Sequence, residues 1–136
     1  KTLKSILYSK EFCIAYPSAD QALEADYMGI ASGYDTNKIE DVDFTYKKAE
    51  KVNAPLINEF KVSAECKLIH VAEVGSHTQL TGEVVNIQAE EEVLNEKNKI
   101  DLAKLDPLAY DDVGYDYYRM GEKIADSHKC GLKFKK

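Results

Sequence analysis

A β-rich α+β domain, a small antiparallel barrel with a helix packed beside it, is the fold class predicted by three observations. Val62, Ala64, Cys66, Leu68, Ala72 and Val74 alternate with polar Lys61, Ser63, Glu65, Lys67 and Glu73, the period-2 signature of a strand with one wet face. Beyond Gly75 and Ser76, Leu80, Gly82 and Val84 share one parity while Val85, Ile87 and Ala89 share the other. The apolar face therefore changes side at Val84–Val85, which predicts a β-bulge or sharp bend of the kind barrels use. Third, only two stretches near the start carry helical spacing. With 136 residues and 44% hydrophobic content the chain buries one core, which predicts a single domain over 1–136.

The elements follow in order. In "KTLKSILYSK", Leu3, Ile6 and Leu7 fall on one helical face, with Thr2 near the start. "FCIAY", Phe12 to Tyr16, reads as a buried strand ended by Pro17. Ser18 with Gln21 three residues on has the form of a capping box. Ala19, Ala22, Leu23, Tyr27 and Ile30 then predict a helix from about Ala19 to Ala31, with Gly33 as its terminator. "SGYDTNKIED" is a polar loop, residues 44–48 a short extended piece, and Pro55 in "VNAPLI" a strand edge or turn. After the long hairpin, "LNEKNKID" is a polar turn and "DLAKLDP" a helical turn ended by Pro107. "YDYYRMGEKIADS" reads as a last strand leading into a tail. The basic end "KCGLKFKK" has few apolar anchors and reads as a frayed terminus.

Charge and motif content exclude several classes. Lys plus Arg total 18 against 24 Asp plus Glu, a net charge of −6, which argues against a surface built for nucleic acid. No run is long enough to span a bilayer, and the start lacks a signal-peptide pattern. Cys13, Cys66 and Cys130 are odd in number and widely spaced, and read as reduced thiols of a cytoplasmic protein. The three histidines have no metal-ligand spacing; His70 lies on the apolar parity of its strand, which predicts a satisfied core histidine. Neither a G-x-S-x-G, an H-E-x-x-H, a P-loop nor a G-x-G-x-x-G occurs. What remains is a ligand-binding barrel.

Five motifs in one order then carry a resemblance. "KTLKSILYSKEFCIAYPSADQALEADYMGIASGYDTNKIE" contains a basic residue and Thr opening a helix, an "S-x-E-F-x-x-x-x-P-S" strand and a "G-x-x-S-G-x-D-x-[DN]-K" loop. "KVNAPLINEFKVSAECKLIHVAEVGSHTQLTGEVV" is similar to "K-V-x-A-P-L-I-x-E" and "x-E-C-x-V" strands followed by "G-x-H-x-x-x-x-G-E-V". "IDLAKLDPLAYDDVGYDYYRMGEKI" carries "l-d-P-l-x-Y" and "Y-Y-x-x-G-E". Together these resemble the flavin reductase-like family, flavoredoxins included, across nearly the whole chain.

The resemblance implies an FMN-binding split barrel with flanking helices, usually a homodimer with the flavin near the subunit interface. It implies FMN, with FAD as the alternative, and NADH or NADPH as electron donor. Lys1 and Thr2 match the basic-Thr position that receives a flavin phosphate, where charge, hydroxyl and free helix amides converge. Ser32, Gly33 and Lys38 match the loop beside the flavin. His77, Tyr118 and Arg119 match positions on the nicotinamide side, with Tyr117 beside them. Tyr34, Asn37 and Ala15 stand where the family more often has Arg, Asp and Asn. No catalytic acid, covalent nucleophile or metal is implied, because the cofactor carries the redox chemistry. The family has strands before its basic-Thr helix, so the chain is expected to be N-terminally incomplete. Three functions follow: a nicotinamide-linked flavin reductase or flavoredoxin, a non-enzymatic flavin electron carrier served by a redox partner protein, or a non-catalytic remnant domain.

Overall fold

The computed structural model describes residues 1–135. Helix α1 (Thr2–Ser9) leads through Lys10, in the left-handed conformation, into β1 (Glu11–Tyr16). A 3-10 turn (Ala19–Gln21) precedes α2 (Ala22–Ile30), and a single-turn helix α3 (Lys38–Asp41) follows. Next come β2 (Tyr46–Lys48), β3 (Pro55–Ile57), the long pair β4 (Val62–Val74) and β5 (His77–Ala89), and a 3-10 turn (Glu91–Val93). The short α4 (Leu102–Leu105), the strands β6 (Leu108–Asp111) and β7 (Asp116–Arg119), and a 3-10 turn (Cys130–Phe134) complete the order.

All described strand pairs are antiparallel and form three sheets: β1-β4-β5, β2-β3 and β6-β7. The β-rich class with flanking helices is as predicted. The bulge is also where the parity change puts it. Glu65 pairs with Asn86 but Cys66 with Val84, so Val85 is the extra residue on β5. A second shift lies between Leu68 and His70, making Ile69 the extra residue on β4. The turn is the predicted two-residue one, with Val74 opposite His77 and Gly75 at φ 59°. A left-handed backbone there suits glycine, which has no Cβ to clash.

The predicted helix from Ala19 to Ala31 is divided. Ser18 does use Gln21, whose Oε1 accepts the Ser18 N–H at 3.0 Å, but this closes only the 3-10 turn before α2. Gly33 does not terminate α2; Ala31 does, by turning extended. The last strand is shorter than predicted, and its partner β6 carries no alternating pattern to announce it.

The wet face of β4 is corrected too. Val62 through Cys66 are all buried, including Ser63 at 4% and Glu65 at 0% exposure, because the segment of residues 49–60 covers what would have been the polar side. The far half of the hairpin projects, so His70 is exposed rather than in a core. Two clusters hold the fold. Ala49, Val52 and Leu56 pack with Cys13, Ala54 and Val85 on one face of the sheet. Val62, Val93 and Leu105 pack with Ala89 and Ile100 on the other. Burial of aliphatic side chains of this size stabilises by about 1.5–3 kcal/mol each.

Candidate functional site

Beside α1, the edge strand β1 and the loops after α2 and β2 lies a cleft of about 960 Å³. That volume lies in the range of about 300–1,000 Å³ typical of small-molecule sites. Lys1, Thr2, Ser32, Gly33 and Lys38 all line it, although 30 or more positions separate the first two from the rest in the chain. The structure brings this whole predicted set together.

One end of the cleft is cationic. Lys1 Nζ donates to Gly33 O at 2.7 Å, and Lys38 Nζ donates to Met28 O at 2.6 Å, near the carbonyl end of α2. Each ammonium has three N–H groups, so a single carbonyl partner leaves donors for a ligand. Gly33 permits this approach: a Cβ on it would stand 3.3 Å from Lys1 Cδ and 3.8 Å from Lys38 Cε. A side chain here would press on the Lys1 stem, which would have to move by a few tenths of an ångström, and the backbone is not in a left-handed helix-ending conformation. The start of α1 has no acidic residue in its first turn and no side-chain cap. Its first amides and positive dipole end are therefore available to an anion.

The loop that presents Ser32 and Lys38 is itself tied down. Ser32 Oγ accepts the Tyr34 N–H at 3.2 Å, and Ser32 O accepts the N–H groups of Asp35 and Thr36. Asp41 on α3 accepts from Tyr27 OH at 2.6 Å and from Thr36 Oγ1. Those hydroxyl bonds, Thr36 first, hold the Asp41 carboxyl below its ordinary range, and the Asp41 bond raises the Tyr27 phenol.

Apolar side chains also line the cleft: Ile6, Phe12, Ala31, Ala54 and Pro55, with Cys13 among them, beside polar Glu11 and Asn53. Burial, then the charge of Glu65 and the neighbouring Cys66, pushes the Cys13 thiol up to about 11. It is a neutral thiol at pH 7 and a poor nucleophile. A ligand that is anionic at one end and flat and apolar over the rest fits this arrangement.

The other predicted residues are elsewhere. His77 sits exposed at the hairpin tip, where its Nδ1 is 3.3 Å from Ser76 Oγ. Tyr118 is exposed on β7, paired across to Ala109. Arg119 is engaged by Asp20 and Asp106, and so ties β7 to the 3-10 turn before α2 and to the C-cap of α4. Tyr117 OH donates to Asp26 at 3.1 Å and its ring packs on Tyr110, with centroids 5.2 Å apart. None of these four lines the cleft of this chain. Asn53, Ala54 and Pro55 do line it, and sequence reasoning singled out none of them for the site; their only signal was membership of the "K-V-x-A-P-L-I-x-E" motif.

Antiparallel sheets flanked by short helices, with a cleft that is cationic at one end, define a β-rich domain of the split-barrel class. The chain belongs to the family described as flavin reductase like domain, which matches residues 1–119. Flavoredoxin of Desulfovibrio vulgaris (Miyazaki F) is similar in structure, with a TM-score of 0.90 and 35% identity over 96% of this chain and 69% of that one. Flavoredoxin from Methanosarcina acetivorans superposes with a TM-score of 0.89 and 25% identity over 98% of this chain and 70% of that one. An uncharacterized protein of Aquifex aeolicus (strain VF5) is 30% identical over 117 residues, 86% of this chain and 59% of that relative. More distant split-barrel and FMN-binding proteins share the fold. No helix among the described residues is long and apolar enough to cross a membrane.

Proposed function

We propose that this chain binds FMN in the cleft between α1 and the loop after α2 and serves flavin-dependent oxidoreduction, with NADH or NADPH as the donor. The observation that carries this is the convergence of Lys1, Thr2, Ser32, Gly33 and Lys38 on one cleft that apolar side chains also line. Lys1, Lys38, the Thr2 hydroxyl and the open amides of α1 suit a phosphate. Ile6, Phe12, Ala54 and Pro55 suit a flat ring system and keep water from one side of it. The flavin, when bound, accepts the electrons. The chain's own part is to hold the phosphate, orient the ring and leave one side open to a donor. FMN is named before FAD because proteins that share the fold are FMN-binding ones. Assembly into a homodimer is part of the same proposal.

The test is anaerobic mixing with FMN and either nicotinamide, following the visible flavin band. Bleaching with at least one donor supports the reductase reading, and bound flavin with no bleaching by either sinks it. That second outcome would favour a flavin electron carrier fed by a redox protein. The carrier reading accords with the engagement of Arg119 by Asp20 and Asp106 and with His77 and Tyr118 lying outside the cleft of their own chain. A colourless chain that fails to bind added FMN would sink both and leave a non-catalytic domain.

A further inference from the structure

Glu65 is a charged residue with no cation beside it, at 0% exposure, in the middle of the sheet. Its carboxylate is satisfied by hydrogen bonds alone. Oε2 accepts the Lys51 N–H at 2.6 Å. Oε1 accepts Asn86 Nδ2 at 2.8 Å, Gln88 Nε2 at 2.8 Å and, more weakly, the Glu50 N–H at 3.3 Å. Only an ionised carboxylate has the lone pairs to accept four donors and offers no hydrogen of its own. Burying such a charge is a costly way to gain stability, since well-packed apolar groups do as well or better. The geometry it enforces is what distinguishes it.

That geometry bears on one loop. Two of the four donors are consecutive backbone amides of the segment between β2 and β3. Two residues on, the Asn53 N–H is taken by Glu11 Oε2 at 2.7 Å, from the neighbouring strand β1. Two carboxylates on adjacent strands thus hold three amides of the four-residue stretch 50–53, and the next residues, Ala54 and Pro55, line the cleft. The bulge at Val85 takes part: it sets Asn86 opposite Glu65 and turns Val85 into the cluster beneath the loop.

We propose that Glu65 is the positioning residue of the flavin cleft, acting through the backbone of residues 50–55, with Glu11 as its second anchor. This rests on the FMN reading above. It touches no ligand itself, and its role is to fix where the Asn53–Pro55 wall stands relative to Lys1 and Lys38.

The test titrates the chain with FMN and follows flavin fluorescence, for the unaltered protein, Glu65→Gln, Glu65→Asp and Val93→Ala. Val93 is wholly buried in the other cluster and serves as a control that lowers the melting temperature without touching the loop. The expected result is an FMN Kd raised about tenfold or more in Glu65→Gln, the scale on which groups that orient a binding site act. Val93→Ala should leave it unchanged, and Glu11→Gln, whose carboxylate lines the cleft, is read by hydrogen exchange of the loop. An unaltered Kd in Glu65→Gln, or an equal rise in Val93→Ala, overturns the proposal. If Glu65→Gln does not fold, Glu65→Asp decides, because it keeps the charge but draws the carboxylate back from the Lys51 and Glu50 amides, and an unchanged Kd there overturns the proposal. If the unaltered chain binds no FMN, the flavin reading is what fails. Hydrogen exchange at Glu50, Lys51 and Asn53 then reads the loop directly: faster exchange in the two Gln variants sustains the anchoring role, and equal exchange removes it.

Discussion

The ring of Phe12 reaches across β4 to lie on Gly82: a Cβ built at residue 82 would stand 2.5 Å from Phe12 Cζ and 3.2 Å from Cys66 Cβ. Gly82 is there because any side chain would occupy the space of a ring that also lines the cleft. Gly82→Ala should therefore destabilise by about 1–3 kcal/mol, the usual cost of overpacking. In a Phe12→Ala background the same change should cost almost nothing. Urea unfolding of the two singles and the double checks this, and additive costs would contradict it.

Lys1 rests on the carbonyl of Gly33 and Lys38 on that of Met28. Replacing either by Met should weaken FMN binding about tenfold, the scale of one charge-assisted hydrogen bond. Riboflavin, which lacks the phosphate, should bind both variants as it binds the parent. Isothermal titration with the two ligands checks the ratio, and raised salt should weaken FMN binding to the parent more than to the variants.

Arg119 is a structural tie in this chain. Arg119→Gln releases Asp20 and Asp106, and because the guanidinium is 58% exposed the loss should be only about 0.5–1 kcal/mol. The nicotinamide KM should not move. A large rise in KM with unchanged stability would return Arg119 to the donor side.

Acid should find Glu65. Burial by itself would raise this carboxyl, but the bonds from Lys51, Asn86, Gln88 and Glu50 outweigh it and take it from an ordinary 4.5 to about 2. A folded-state value below the unfolded one means that its contribution is complete above pH 4.5 and is lost as the pH falls towards 2. Urea midpoints measured across that window should fall for the parent and fall less steeply for Glu65→Gln.

Much of this was legible in the chain because strands announce themselves by parity. The 13-residue strands β4 and β5, their Gly75–Ser76 turn and the extra residue at Val85 follow from which positions are apolar. The burial of Ser63 and Glu65 did not follow, since a polar residue at every second position looks the same whether water or a loop covers it. Helix α3 and strand β6, at four residues each, are too short for a period to show. For the site, the motif order pointed to Lys1, Thr2, Ser32, Gly33 and Lys38, which the fold gathers. The engagement of Arg119 by two aspartates 99 and 13 positions away has no local signature at all.

The two extra residues of the long hairpin sit on opposite strands, Val85 on β5 and Ile69 on β4, so the offset introduced by one is cancelled by the other. Only the three pairs from Cys66–Val84 to Leu68–Gly82 lie out of step. Insertions and deletions in this hairpin are therefore coupled across the sheet. Removing Val85 alone would leave the arms unequal and force the tight turn at Gly75 to reform with a different length. Removing Val85 together with Ile69 would keep arms, turn and pairing in frame. The register thus predicts that length changes in this hairpin are accommodated in matched pairs, one residue from each arm.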